Sequence, residues 1–321
     1  RDRFRKAQAA ATCAGPTTDA DAAACADATG RDQPLSFEGS LDANATTIST
    51  KGSFAGAVQR GSGTQRLAFG DFDVQRDATT GSFTATVNAR IAWERMVSDR
   101  TLLGWFLGAE VAHASIVEGF GGDIDRLGLS AGGYVVHELA DRVFVDGFVT
   151  AGFGQNTLSL ADPVLVLDGA YRTRSVMVGG SLSAVIVGRG YEVWPELSFS
   201  YGRTRVGDIG LTGSAFGMTD AGLVIDAGDV SLASFLFRPE VRVALDGRDA
   251  AQSRTLLTFA PRLICQQIRS VTTQEECGAG AEFGYSWQSD DGLGSVSAKV
   301  LADRLGNRTG TALQLDLARQ F

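Results

Sequence analysis

The sequence has no long apolar run, and this absence excludes a helical membrane protein. A membrane-spanning helix needs about 20 consecutive apolar residues, whereas the longest apolar stretches here are short, as in 164–167 and 182–187. Proline is scarce, with 6 residues against 40 aperiodic glycines, which excludes collagen. Basic residues are outnumbered, since the formal net charge is −8 and the pI is about 4.9. This balance argues against a protein that binds nucleic acid by neutralising phosphates.

Cysteine is also rare, and the 4 residues form two local pairs of identical spacing: Cys13 with Cys25, and Cys265 with Cys277. Neither pair has the C-x-x-C spacing or the nearby histidine of a zinc site. We therefore predict two disulfide-closed polar loops, each worth roughly 3 kcal/mol on the chain-entropy estimate. Disulfides persist in oxidising compartments, so the pairs favour the periplasm or the cell surface. Four free thiols in a cytosolic protein are the alternative.

Residues 1–66 differ in texture from the rest of the chain. Residues 1–12 (RDRFRKAQAAAT) predict a short helix, whereas 33–63 are polar, with glycine, serine, threonine and asparagine throughout. Such a composition cannot form an apolar core of its own. We therefore expect 1–66 to be a partly helical linker, a plug, or the remainder of an upstream segment.

From Leu67 onward apolar residues alternate with polar or small ones, which is the pattern of β-strands. In 82–96, for example, Phe83, Val87 and Ile91 share one face and Thr84 and Arg90 the other. About twelve such segments follow one another, at 67–77, 82–96, 101–115, 124–139, 142–158, 171–188, 191–206, 229–246, 253–266, 276–289, 293–303 and 310–321. The fold prediction is therefore an all-β, antiparallel, up-and-down sheet.

The connections between these segments alternate in length. Short turns such as 140–141 and 188–190 alternate with longer links such as 159–170 and 207–228. Short turns at one end and long loops at the other are typical of outer-membrane barrels. Aromatic residues near strand ends fit interfacial girdles, namely Trp93, Trp105, Tyr134, Trp194, Tyr201 and Trp287. A soluble β-sandwich also alternates in this way and is the least favoured alternative.

Taken together, these features resemble the C-terminal translocator (β-domain) of bacterial autotransporters. The final segment TALQLDLARQF is similar to the signal that the outer-membrane assembly machinery recognises, with Leu313, Leu315 and Leu317 alternating before Phe321. The resemblance covers 67–321 and implies a barrel of about twelve strands in the bacterial outer membrane. It also implies that linker 1–66 traverses this barrel and that an upstream passenger is exported to the cell surface. Outer-membrane lipid, the assembly machinery and the chain's own passenger are the expected partners of a monomer.

Two features of the linker depart from the family pattern. Gly15, Pro16 and Gly30 interrupt the predicted helix, and the pair Cys13 and Cys25 would form a loop that threads poorly through a pore.

In such a barrel the polar strand face lines the lumen. We predict as pore-lining the charged residues of that face: Arg90, Glu94, Glu110, Arg126, Asp146, Arg174, Glu196, Arg238, Glu240, Arg242, Arg262 and Glu282. As a set they imply water or polypeptide inside, because unpaired charge in an apolar interior is too costly. Glycines on the same face either leave room for a passing segment or relieve strain at bends: Gly104, Gly108, Gly128, Gly132, Gly152, Gly179 and Gly284.

Catalysis is not expected. The two histidines, His113 and His137, fall in the outward apolar register near opposite ends of the barrel, so a serine–histidine site is disfavoured. No G-x-S-x-G, H-E-x-x-H or phosphate-binding loop is present. Self-cleavage at Asn44 is a minor alternative. We assign no catalytic, cofactor or metal residue.

A different function for the same fold also stays open. The chain would then be a non-secretory outer-membrane barrel, either a pore for small solutes or a surface-binding protein. Residues 1–66 would plug it or fold in the periplasm.

Overall fold

A computed structural model describes residues 36–43, 47–61, 64–77, 79–117, 121–246, 253–289, 294–306 and 308–320. These residues form one sheet of seventeen strands. In chain order the strands are β1 (Ser36–Ala43), β2 (Thr47–Gly61), β3 (Thr64–Asp77), β4 (Phe83–Ser98), β5 (Thr101–Ile116), β6 (Gly122–Ala140), β7 (Val143–Asp162), β8 (Leu165–Ala184), β9 (Ile186–Gly188), β10 (Tyr191–Val206), β11 (Ile209–Ala215), β12 (Met218–Ile225), β13 (Gly228–Ala244), β14 (Thr255–Arg269), β15 (Thr273–Gln288), β16 (Gly294–Leu305) and β17 (Arg308–Gln320). Across these ranges no helix is long and apolar enough to cross a membrane.

The strands pair antiparallel with their neighbours in sequence, as an up-and-down arrangement requires. β10 pairs with both β8 and β13. β1 pairs with β2 on one side and with β17 on the other, so the pairing order returns to its starting strand. β9 continues β8 after Val185, and β11 and β12 form a hairpin along the edge of β8. Leaving out these three strands, fourteen strand positions make up the cycle.

The two faces of the sheet differ in burial. On the outer face large apolar side chains are about half exposed, for example Leu107 at 53%, Leu129 at 63% and Phe199 at 53%. The inner face carries the buried side chains, both apolar (Leu102, Ala260) and charged (Glu94). A sheet whose exposed face is apolar and whose buried face carries charge inverts the arrangement of a soluble sandwich.

The strand count of about twelve is wrong. Each predicted segment overlaps a strand, but 36–43 and 47–61, predicted as linker, form β1 and β2. The boundary at residue 66 therefore does not mark the start of the sheet. β2 has only Ile48, Phe54 and Val58 as large apolar residues among glycine, serine and threonine, so its alternation is too weak to detect. The long connection 207–228 contains the β11–β12 hairpin.

The predicted difference in loop length is also largely wrong. We call the end that carries Ser36 and Gln320 the terminal end, and the end that carries β11 and β12 the hairpin end. At the hairpin end β7 and β8 are joined only by 163–164, because the strands themselves run on for 20 residues each. At the terminal end β13 and β14 are separated by 245–254. Strand extension, rather than loop length, therefore distinguishes the two ends.

Cys265 and Cys277 form the predicted disulfide. They are directly opposite each other on β14 and β15, so the bond joins two paired strands near the hairpin end rather than closing an irregular loop. Cys13, Cys25, Asn44 and Phe321 lie outside the described residues.

We expect that replacing both Cys265 and Cys277 by serine lowers the free energy of unfolding by at most about 3 kcal/mol, because the ladder already restrains the strands that the disulfide joins. The midpoint of heat-induced mobility change on gels, compared between wild type and C265S/C277S in detergent, measures this. Alkylation of both residues in the unreduced wild type would contradict the assigned bond.

Candidate functional site: a charged and glycine-rich inner face

The densest charge on the inner face lies on β13 to β16. Arg238 Nη2 is 2.7 Å from Glu240 Oε2 and 3.0 Å from Glu282 Oε2. Glu282 Oε1 lies 3.2 Å from Arg262 Nη1, and Arg262 also pairs with Asp303. These side chains are between 10% and 27% exposed. Two arginines and three carboxylates thus link four strands in one ion-pair network.

The network extends to β10, which pairs with β13. Arg238 Nη1 lies 3.9 Å from Glu196, and Arg242 pairs with Glu240. The Arg242 guanidinium also stacks 3.8 Å above the Trp194 ring. All six charged residues predicted on these strands, Glu196, Arg238, Glu240, Arg242, Arg262 and Glu282, therefore take part in it.

The same region of the wall contains a row of prolines. Pro195 is directly opposite Pro239, and the β13–β14 register, which resumes at Val241 opposite Phe259, places Pro239 opposite Pro261. Proline has no N–H to donate, and the β13–β14 ladder skips residues 238–240. Glu282 contacts Arg238 on β13 and Arg262 on β14. The network therefore bridges the seam at which backbone hydrogen bonds are missing.

We expect Glu282→Ala to lower the free energy of unfolding by about 3–5 kcal/mol, because it leaves two partly buried guanidiniums without their shared carboxylate. Urea unfolding in detergent, followed by tryptophan fluorescence, measures the change. Glu275→Ala on the same strand is the matched control. This residue is exposed, and its removal should cost about 0.5 kcal/mol or less. Equal losses in the two variants would contradict a bridging role for Glu282.

A second group of inner-face residues lies on β4 to β8. Arg126 Nε is 2.9 Å from Glu110 Oε1, and Ser181 donates its hydroxyl hydrogen to Asp146. The Arg90 guanidinium lies 5.7 Å from the centroid of the Phe106 ring. On this part of the wall the predicted charges occur in isolated pairs rather than in a network.

Glu94 is the most buried of the predicted charges, at 1% exposure. The Tyr134 hydroxyl donates a hydrogen bond to its carboxylate, although β5 lies between β4 and β6. The contact is possible because Gly104 is opposite both residues. A Cβ at Gly104 would lie 2.3 Å from Tyr134 Cζ. The glycine thus lets an aromatic ring cross one strand and pair with a carboxylate on the next.

We expect Gly104→Ala to cost about 2–4 kcal/mol of unfolding free energy, because the Tyr134 ring must move and leave the buried Glu94 carboxylate without its donor. Gly133→Ala is the control, since a Cβ there would lie 3.5 Å from its nearest neighbour, Gly104 O. The urea midpoints of the two variants test this directly. A Gly104→Ala protein as stable as Gly133→Ala would refute the argument.

For several of the inner-face glycines the structure supports neither room for a passing segment nor relief of strain at bends. The space above several of these glycines is filled by side chains of neighbouring strands: Phe106 at Gly132, Phe148 at Gly179, and Thr258 with Lys299 at Gly284. They therefore serve side-chain packing along the wall.

Arg174 is wrongly predicted as pore-lining. It is exposed and lies in register with Phe153 and Arg205, on the outer face that it shares with Val176 and Val178. Because side chains alternate between the faces of β8, Arg174 lies on the opposite face from Thr173, which is 7% exposed.

Two of the aromatics predicted to form the girdles, Trp194 and Tyr134, are inner-face residues. Trp93 and Trp105 stack at 4.0 Å on the outer face.

Sequence reasoning missed several partners. Asp303, Tyr134 and Ser181 complete ion pairs or hydrogen bonds, and Glu192, at 6% exposure, accepts from the Trp194 indole N–H at 2.7 Å. Asp303 continues the alternation of β16 and could have been included by register alone. The glycine-crossing contacts depend on which strands are adjacent, a fact that a single strand pattern does not contain.

The remaining predicted residues are placed as follows. Leu313 and Leu315 of the terminal strand are exposed on the outer face, at 46% and 40%.

The two histidines lie at opposite ends of the strands. His113 Nδ1 lies 2.8 Å from Asp125, whereas His137 contacts the Thr101 hydroxyl. Within the described ranges no group of three or more histidines, cysteines or carboxylates could hold a metal ion.

Comparison with known proteins agrees with this geometry. The family model described as "Autotransporter beta-domain" matches residues 54–232, more than half of the chain. The chain belongs to the autotransporter β-domain family. This membership places it in the bacterial outer membrane. None of the curated proteins compared matches the chain.

Solved structures match the chain at low identity, and the first two share its fold. The β-domain of the Bordetella autotransporter BrkA is 14% identical, covers 90% of this chain and 99% of its own, and has a TM-score of 0.50. TodX of Pseudomonas putida is 10% identical, with 92% and 90% coverage and a TM-score of 0.51. The NalP translocator domain of Neisseria meningitidis is 12% identical, with 94% and 93% coverage and a TM-score of 0.49.

Proposed function

We propose that the chain is a closed transmembrane β-barrel that anchors a passenger and exports it to the cell surface through its lumen. The observation that carries the proposal is the match to the autotransporter β-domain over 54–232. The return of strand pairing through β1 supports closure, because a sheet in lipid must leave no edge unpaired.

The width of such a barrel supports passage of a polypeptide. Fourteen strands spaced about 4.8 Å apart and tilted about 40° give a backbone radius of roughly 14 Å. An α-helix with its side chains is about 10–12 Å across. The inner face of β10 carries the small residues Ser198, Ser200 and Gly202, so this part of the wall leaves room for a helix or an extended segment.

The direction of the strands supports the route. Ser36 begins β1 at the terminal end, where Gln320 also lies, whereas β11 and β12 extend the opposite end. A segment that enters β1 at the terminal end and is exposed beyond the hairpin end must cross the length of the inner face. The segment preceding Ser36 is therefore the proposed occupant of the lumen.

The proposed partners follow from this placement. The apolar outer face contacts outer-membrane lipid, and β17, with Leu313 and Leu315 facing outward, is the strand offered to the assembly machinery. Closure through β1 leaves no free edge among the described strands of the fourteen-strand cycle, so we propose a monomer. We assign no chemical reaction to the inner face.

Export can be tested with an epitope-tagged reporter placed upstream of Arg1. We expect protease-accessible reporter on intact cells with the wild-type barrel, and loss of most of it with Ser198→Trp/Ser200→Trp, whose side chains narrow the lumen. Phe199→Trp is the matched control, because this residue lies between the two on the outer face and is 53% exposed. Equal amounts of heat-modifiable barrel in each strain establish that folding is unaffected.

The alternative is a pore for small solutes, and TodX, whose structure is described as a toluene transporter, shares the fold. A reporter that stays inside the cell while the purified barrel makes liposomes permeable to solutes would favour this alternative and refute export.

A further inference from the structure

Four arginines form a compact patch on the outer face at the hairpin end. Arg172 and Arg174 lie on β8, and Arg203 and Arg205 lie on β10. Arg174 and Arg205 are directly opposite each other, and all four are exposed. The patch lies immediately beyond exposed apolar residues of the same strands, Val176 at 55% and Tyr201 at 40%.

The patch carries more positive than negative charge, with Asp229 of β13 directly opposite Arg205. Among the described residues, Arg203 pairs with Asp229 at 3.0 Å, and none of the other three arginines forms an ion pair. Like charges placed directly opposite each other destabilise a sheet. An arrangement of this kind becomes favourable when an anion lies between the guanidiniums, and the guanidinium group matches phosphate oxygens in geometry and charge.

The position of the patch across the thickness of the membrane indicates the source of that anion. Tyr191 and Tyr201 lie on the outer face of β10, ten residues apart. At about 3.3 Å per residue and a tilt of about 40°, they span about 25 Å, the usual height of the apolar band of such barrels. Arg203 and Arg205 are the next two outward residues, so they lie at the level of lipid headgroups.

We propose that Arg172, Arg174, Arg203 and Arg205 bind the phosphate of a lipid headgroup in the outer leaflet. The proposal rests on the transmembrane placement argued above. It assigns to this one sector of the wall a lipid-binding site that is separate from the inner face and from passage of the passenger.

The test measures binding of bisphosphorylated lipid A to the purified protein in micelles of an uncharged detergent. We expect Arg174→Gln/Arg205→Gln to weaken binding at least about tenfold, since each basic residue near a lipid surface contributes on the order of 1 kcal/mol. The charge-matched control is Arg95→Gln/Arg189→Gln, two exposed arginines near the terminal end. This control should leave the affinity within about twofold. Inorganic phosphate at millimolar concentration should not displace the lipid.

Three outcomes would overturn the proposal: no binding by the wild type, equal weakening in both double variants, or complete displacement by inorganic phosphate, which would indicate a site for the free anion. Heat-modifiable mobility of each variant checks that the barrel is folded, and the surface reporter is measured in the same strains. Normal export with lost lipid binding supports the site. Lipid binding by a wild type that exports nothing refutes only the export function.

Discussion

The pairing of β1 with both β2 and β17 is the constraint on which the rest of the structure depends. Lipid offers no hydrogen-bond partner to a backbone N–H or C=O group, so a sheet in a membrane must satisfy all of them internally. β1 provides hydrogen-bond partners for the backbone of β17, from Ser36 opposite Gln320 to Ala43 opposite Leu313. On its other side it provides them for β2. In the proposed closed barrel one face points inward, and charge on that face becomes tolerable.

The inner face deals with that charge in two ways. Where the wall is continuous, glycines allow side chains to cross a strand, as Tyr134 crosses at Gly104. Where Pro239 and Pro261 interrupt the ladder, ion pairs connect the strands instead. Glu282 joins β13 and β14 at the seam, so a polar lining that suits a hydrated lumen also contributes to the integrity of the wall. In the proposed function, the lining of the lumen and the stability of the wall thus depend on the same residues.

Much of the fold could be predicted from alternation, because period two directly reports a strand with two unlike faces. The prediction located every strand from β3 onward except the β11–β12 hairpin, and it placed β9 in one segment with β8. It missed β1 and β2 because glycine, alanine, serine and threonine occur on both faces of these strands, so the two faces differ little in hydropathy. Eleven of the twelve predicted charged residues lie on the inner face, whereas Arg174 does not, since a strand's polar end continues on the outer face beyond the apolar band. Contacts such as that of Tyr134 with Glu94 could not be predicted, because they depend on the adjacency of three strands.

The most direct test of the central claim is a cross-link between β1 and β17 in cells. In a protein whose native cysteines are replaced by serine, Ser40→Cys with Asp316→Cys places two thiols on directly opposed residues. The structure predicts a disulfide between them in the outer-membrane fraction and none for Ser40→Cys with Thr311→Cys, which are out of register. Absence of the first cross-link in folded, heat-modifiable protein would contradict closure of the sheet through β1.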